Sequence, residues 1–359
     1  MDTNNWDSVL SFASEPVALG SPGSSNTYEE KRRVDHGSDG SPTQVPTPPV
    51  TPMWFNGYSL WSHNEQESMN GSPTAEDAPE ESILVSVSTT FYPGAQNDSL
   101  PPDMTLLSSD SVFFYVHTHV LLGVSNNRFK SLIPLSMSDG REQNVVVHAP
   151  ETAPVLNVIL HTAYRMSCMH YSPTFDTLVA AVHQFPDYGI DVISHISPTT
   201  PLYSHLLSHA PLFPIDVYAL AACHNLYDLA VSTSSHLLSY HLPGLTDDLV
   251  DRIGPRYLKR LFFLHMGRAD ALKRILLPPP HPHPPTPWCD FEEQKRLARA
   301  WALASAYLAW EARPDLATST LENALGPLAE HLSCSACKEA LTVRVKDLVV
   351  QWSVVKRTI

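Results

Sequence analysis

The feature that most limits what this chain can fold into is a break near residue 81. On its N-terminal side, no stretch of residues 1–80 sets apolar side chains at helical or alternating spacing. That segment holds 12 acidic and 3 basic side chains and nine prolines, with much Ser, Asn and Gly. It cannot bury enough apolar surface to offset the entropy of ordering its backbone, so residues 1–80 read as a disordered, acidic, Pro/Ser-rich tail. Beyond the break, β-branched and aromatic runs give way to helical periodicity. The remaining 279 residues are enough for one large domain or two modest ones.

The tail accounts for -9 of the formal net charge of -14. An acidic balance of that size argues against direct, general binding of nucleic acid. Asp2 and Asp7 stand where a signal peptide would begin, and no apolar core comes after them. The longest apolar stretch, near Ala300 to Trp310, is about half of the roughly 20 residues a spanning helix needs. Five cysteines without a ladder of spacings do not make a disulfide scaffold. The expectation is an intracellular protein, cytoplasmic and/or nuclear, with reduced thiols and no membrane partner.

Within the tail, Ser21-Pro22, Ser41-Pro42, Thr47-Pro48, Thr51-Pro52 and Ser72-Pro73 are sites a proline-directed kinase would favour. A Pro- and Ser-rich composition also produces such pairs without selection for them. Met53-Trp54-Phe55, with Tyr58 and Trp61, reads either as a docking motif or as a patch that packs back on the folded part.

Ile83 to Val87 reads as a short strand, and Met104, Leu106 and Leu107 as another. Ser108-Ser109-Asp110 is a turn, and Val112 to His117 a strand buried on both faces. Asn144 to Val147 is a further strand. The rest is helical. Val155, Leu156, Ile159, Leu160 and Ala163 share one helix face. Ser172-Pro173 is read as the cap and first residue of a helix with Phe175, Leu178, Val179 and Val182 inward, and Gly189 as its stop. Pro214 and Gly254-Pro255 open two more, and Asp290 with Glu293 has capping-box spacing. Leu341, Val345, Leu348, Trp352 and Val355 form the stripe of a final helix. Seven prolines in the ten residues 278–287 make a stiff, extended linker.

The order of elements carries a resemblance. Asp103, Leu106 or Leu107, Ser109-Asp110, Phe114-x-x-His117, Val120-Leu121 and Phe129 succeed one another as in the start of a BTB/POZ domain. The run Val120 to Phe129 is similar to that family's V-L-x-x-x-S-x-x-F helix, with Ser125 one place early and Thr118 where the family usually has Arg. The resemblance covers roughly residues 83–195. The alanine-rich helix Tyr218 to Ala222 and the helical region after it resemble the C-terminal extension of fungal, particularly basidiomycete, BTB proteins.

The resemblance implies an α+β fold, a small sheet flanked by helices, leading into an all-α C-terminal region. The expected layout is the tail 1–80, a BTB/POZ-like domain 81–196, and a helical domain 197–359 with its linker at 278–287. The resemblance further implies a homodimer, with Val120, Leu121 and Val124 at or near the contact. It places Asp103 and His117 near a groove for partner peptides. His117 has a second reading, as a buried histidine holding the hairpin to the helix.

Cys334-x-x-Cys337 has the spacing of a zinc knuckle. A closed site needs two more ligands, and His283 and Cys289 are candidates, with His281 nearby. Such a site would pin the proline segment to the last helix. The competing reading is two cysteines one turn apart on a helix face and two solvated histidines. Cys168 and Cys223 are read as core packing on apolar helix faces.

Eighteen histidines invite a search for catalysis, but H-E-x-x-H, G-x-S-x-G and the phosphate-binding glycine loops are all missing from the sequence. His117-x-His119 is two imidazoles without a visible third ligand. The function expected is a non-catalytic adaptor that dimerises and recruits protein partners, to a cullin-type ubiquitin ligase or a transcriptional complex. The alternative is a metal-dependent enzyme in the helical region.

Overall fold

The structure, a computed structural model, describes residues 86–134 and 145–359. It is α+β, with a four-stranded mixed sheet and eleven α-helices among the described residues. The strands are β1 Ser86–Val87, β2 Met104–Leu107, β3 Val112–Val116 and β4 Val145–His148, in the order β1-β3-β2-β4. Antiparallel β2 and β3 pair Met104 with Val116 and Leu107 with Phe113. β1 and β4 add in parallel on either side. Ile83 to Val85 and Asn144 of the expected strands lie outside the described residues.

The hairpin turn is built by Ser108. Its hydroxyl donates to Asp110 at 2.6 Å and accepts the Val112 N–H at 3.0 Å. This is how a short Ser side chain substitutes for backbone pairing in a turn. The sheet corrects one expectation. β3 alternates: Phe114 and Val116 are buried, whereas Phe113 and Tyr115 are half-exposed. Burial on both faces belongs to β2, where Met104, Thr105 and Leu106 are all buried.

Helix α1 (Thr118–Val124) starts where β3 ends. It stops five residues short of Phe129, against expectation. Arg128, Phe129, Lys130 and Ser131 instead have φ between 54° and 61° and form a left-handed turn. Side chains hold it. Ser125 Oγ accepts the Phe129 N–H at 2.6 Å, and Asn127 Oδ1 accepts that of Lys130 at 2.9 Å. The turn drives Phe129 into full burial against Tyr188, with ring centroids 4.5 Å apart.

Helices α2 (Ala153–Ala163) and α3 (Phe175–Gln184) cover the sheet region. The cap of α3 is Thr174, whose hydroxyl accepts the Thr177 N–H, and Ser172 is left-handed, so Ser172-Pro173 does not begin this helix. Gly189 ends the next turn with φ +68°. A Cβ there would lie 2.5 Å from the Asn126 and Asn127 side-chain oxygens. Asn127 is itself tied to the Lys130 N–H and the Asp187 carbonyl, so it cannot yield freely. Gly189→Ala is therefore expected to destabilise by about 2 kcal/mol or more, from strain and clash together. Gly123→Ala, on the open face of α1, is expected to be neutral or stabilising. Urea melts of the pair test this, and equal effects would contradict it.

The helices continue as α4 (Val192–His195), α5 (Pro201–Ser208), α6 (Pro214–Cys223) and α7 (Tyr227–Ser234). Next comes the long α8 (Asp247–Leu276), then α9 (Phe291–Trp310), α10 (Thr318–Leu325) and α11 (Ser335–Ser353). Helix α8 begins eight residues before the expected Pro255. Thr246 caps it, and Gly254 (φ 69°, ψ 162°) kinks it at the expected start. The capping of α9 is as expected: Asp290 accepts the Glu293 N–H at 3.0 Å.

Apolar side chains form two clusters. One runs from Phe91 to Leu261 and joins the sheet to α2 through the first half of α8. The other runs from Leu272 to Trp352 and joins the end of α8 to α9, α10 and α11. Among the described residues no helix is long and apolar enough to cross a membrane.

Candidate metal centre

Residues 277–290 connect α8 to α9, and prolines deny half of them a backbone N–H. The segment is fastened by side chains instead. Arg344 of α11, 6% exposed, donates from Nε to the Pro278 carbonyl at 2.9 Å and from Nη2 to that of Ile275. Gln294 donates to the His283 carbonyl at 3.0 Å. Thr286 and Cys289 then exchange two backbone hydrogen bonds, of 2.9 and 3.1 Å, in a tight hairpin with Trp288 exposed at its tip. That hairpin turns Cys289 inward, where it is 2% exposed.

The inward turn brings four expected residues together. His283 Nε2 lies 3.3 Å from Cys337 Sγ and 3.4 Å from Cys334 Sγ, and Cys289 Sγ lies 3.6 Å from Cys337 Sγ. All four donor atoms lie within 4.8 Å of one another. With metal–sulfur bonds of about 2.3 Å and metal–nitrogen bonds of about 2.0 Å, a tetrahedral ion sets sulfurs about 3.8 Å apart and nitrogen about 3.5 Å from sulfur. The donor set therefore fits such an ion closely. A disulfide needs sulfurs about 2.0 Å apart, and all five cysteines outside the tail are free.

The surroundings also suit a metal. His283 Nδ1 lies 2.8 Å from the Pro284 carbonyl, which can only accept, so Nδ1 carries the proton and Nε2 is left with its lone pair toward the cysteines. Cys334 precedes the first turn of α11. The N–H of Cys337, then a contact to Cys289 and the N–H of Ala336, lower its thiol to about 7 against the opposing effect of burial. Burial pushes the Cys337 thiol up to about 12, with the Cys289 and Cys334 sulfurs acting in the same direction. Burial also raises Cys289. This group could hold a metal such as zinc. His281 is exposed and stands outside it.

The residues expected at a dimer contact or groove are placed differently. Asp103 does not bond His117. Its carboxylate accepts the Thr118 N–H at 2.7 Å and so caps α1 from the position just before β2. His117 is 1% exposed and spent on structure. Nε2 meets the Leu100 carbonyl at 2.8 Å, and the Tyr164 hydroxyl meets both Nδ1 and the His117 N–H. Since a carbonyl only accepts, Nε2 carries the proton and Nδ1 accepts from Tyr164. Burial raises the Tyr164 phenol far above its usual range, so it keeps the proton it donates. Leu121 is fully buried in the core. Val120 and Val124 are half-buried. His119 is on α1 and pairs with Asp98 at 3.0 Å.

Cys168 is buried as expected but precedes a 3-10 turn rather than lying on a helix, with His205 Nδ1 3.6 Å from its sulfur. Cys223 is exposed, a correction to its expected core position. With His224 and His183 it forms a second, surface group of possible metal donors. His224 Nε2 and His183 Nδ1 are 3.0 Å apart. The adjacent Cys223 and His224 were a visible signal, but His183 is supplied by a different helix. Searches for similar proteins return no matching family model and no matching curated protein.

Proposed function

We propose that this protein is a non-catalytic interaction adaptor of the BTB/POZ type. In this reading the sheet half dimerises and a structural zinc stiffens the helical half. The observation that carries it is the path from β3 into α1. Phe114 is buried on the hairpin, and His117 is committed through both ring nitrogens at the point where the chain turns into the helix. A histidine so bound holds an element in place and has no lone pair or proton left for substrate. The zinc site supports the same view. Four protein donors close a tetrahedral site, which is the structural arrangement, whereas catalytic sites keep a position open. The partner class is a cullin-type ligase scaffold or a transcriptional complex.

Light scattering on the full 39.7 kDa chain tests the dimer. The expected mass is twice that of the chain, and Val120→Glu, at a half-exposed position of α1, is expected to return it to one chain. A wild-type protein that stays monomeric at micromolar concentration counts against the reading.

A second reading, a metal-dependent enzyme, rests on the surface group His183, Cys223 and His224, in which Cys223 and His224 belong to the helical region and His183 to α3 before it. Three protein donors leave a position for water. Metal-dependent turnover of a substrate panel, lost in His224→Ala, is the result that would favour it.

A further inference from the structure

We infer that the groove between the second half of α8 and residues 355–359 binds an acidic amphipathic segment of a partner protein. The groove is open to solvent and has a volume of about 640 Å³. Its lining includes Arg256, Lys259, Arg260, Arg268, Arg274 and Lys356 and no acidic side chain. That is a concentration of positive charge on a chain with only 23 Lys and Arg and a net charge of -14.

The cations differ in what holds them. Arg268 is 2% exposed and structural: its guanidinium donates to the carbonyls of Pro314, Val355 and Lys356 and so fixes the C-terminal wall of the groove. The other five make no ion pair with a side-chain carboxylate among the described residues. Arg256 has a 3.5 Å hydrogen bond to Asn225, and Lys356 a 2.9 Å bond to a main-chain carboxylate oxygen of Ile359, so Lys356 is already paired within the groove. Arg260 stacks over Tyr227 and Tyr257, at 4.7 and 5.1 Å, and its Nη1 is buried without an acceptor. That atom has no exposed surface and is not itself a contact for an occupant; the stacking fixes the Arg260 guanidinium at the groove wall.

The shape and the floor specify the occupant further. From Arg256 to Arg274 the lining positions recur at steps of three and four, which is one face of a helix about 27 Å long. Between the cations lie Leu264, Gly267, Ala271 and Phe263, and Phe263 is 61% exposed. Met266, on the same helix, is 57% exposed. An apolar floor with small residues and cationic edges matches a helix that is apolar on one face and acidic at the borders of that face. A compact polyphosphate would use the charges but leave the floor uncovered. This inference adds one partner's chemistry to the adaptor reading, but it rests on the groove alone. Dimerisation and groove binding are read by separate experiments, so either can fail without the other.

The probe is a fluorescein-labelled peptide of about twenty residues, Leu on one helical face and Glu on both borders. Anisotropy with the full chain is expected to show micromolar binding that weakens as salt rises. Reversing the exposed Arg256, Lys259 and Arg274 to Glu is expected to weaken it by at least about tenfold. The same reversal at Arg165, Arg299 and Lys346, exposed and outside the groove, is expected to change it by no more than about twofold. Circular dichroism checks that both variants fold. No binding overturns the proposal, and so do equal losses in the two variants, which would make the effect one of net charge. Displacement of the peptide by inositol hexakisphosphate at lower concentration than by unlabelled peptide also overturns it, in favour of a small polyanion.

Discussion

Replacing Cys337 with Ser is expected to unfold the helical half of the protein well before the rest. Cys337 is 3% exposed and touches both His283 and Cys289, so a hydroxyl in its place removes a thiolate ligand and leaves a poorly packed polar atom. Loss of a structural metal belongs to the small set of changes that cost about 4 kcal/mol or more. The effect is local because apolar burial cannot replace the ion: the segment it holds is half proline and largely exposed. Tryptophan fluorescence reports it, since Trp288, Trp301, Trp310 and Trp352, the tryptophans among the described residues, lie in this half.

The untreated protein is expected to carry about one zinc per chain. Thiol titration should then show Cys223 reacting freely, with three further cysteines appearing after chelation. Cys223→Ser should leave metal content and melting unchanged. A zinc content below a few tenths per chain would remove the site, as would a Cys337→Ser melt no different from that of Cys223→Ser.

The second large effect is expected from Trp301→Ala. The indole is 1% exposed and lies under the Arg344 guanidinium, 5.4 Å from its ring centroid. Its N–H donates to the Leu276 carbonyl at 2.9 Å, in the last turn of α8, where helical carbonyls lack a partner of their own. The substitution opens a cavity the size of the largest side chain and leaves that carbonyl only the 3.3 Å bond from Ser305. A loss of about 3–5 kcal/mol is expected, with Trp301→Phe in between. Trp310, on the same helix but 88% exposed, should tolerate Ala within about 0.5 kcal/mol. Denaturation monitored by circular dichroism compares them, and similar costs would refute the packing described for the second cluster.

The sequence made visible whatever depended on short-range rules. The turn at Ser108, the cap at Asp290 and the apolar face of α2 arise from residues within one or two turns of each other. So does part of the metal group, because Cys334-x-x-Cys337 is a local spacing and His283 and Cys289 flank one linker. The features hidden from it depended on distant partners. Asp103 has no local sign that it will cap α1, since the two meet only when the β2–β3 hairpin closes. Leu121 sits in a pattern that fits either a surface stripe or a core, and only the sheet and α2 decide it. The left-handed turn at Arg128–Ser131 replaces a helix that the spacing allowed, because Ser125 and Asn127 offer those N–H groups better acceptors. The basic groove combines positions 256–274 with 355–359, and no window of sequence spans both.

The two apolar clusters share α8, with Leu261 in the first and Leu272 in the second, about three turns further on. Adding or deleting one residue between them would rotate the later side chains by about 100° and shift them by about 1.5 Å. Every contact of one cluster would then be out of phase with the other. The number of residues in that stretch of helix is thus fixed more strictly than their identities, and length changes in this part of the chain belong in exposed turns such as that at 197–200.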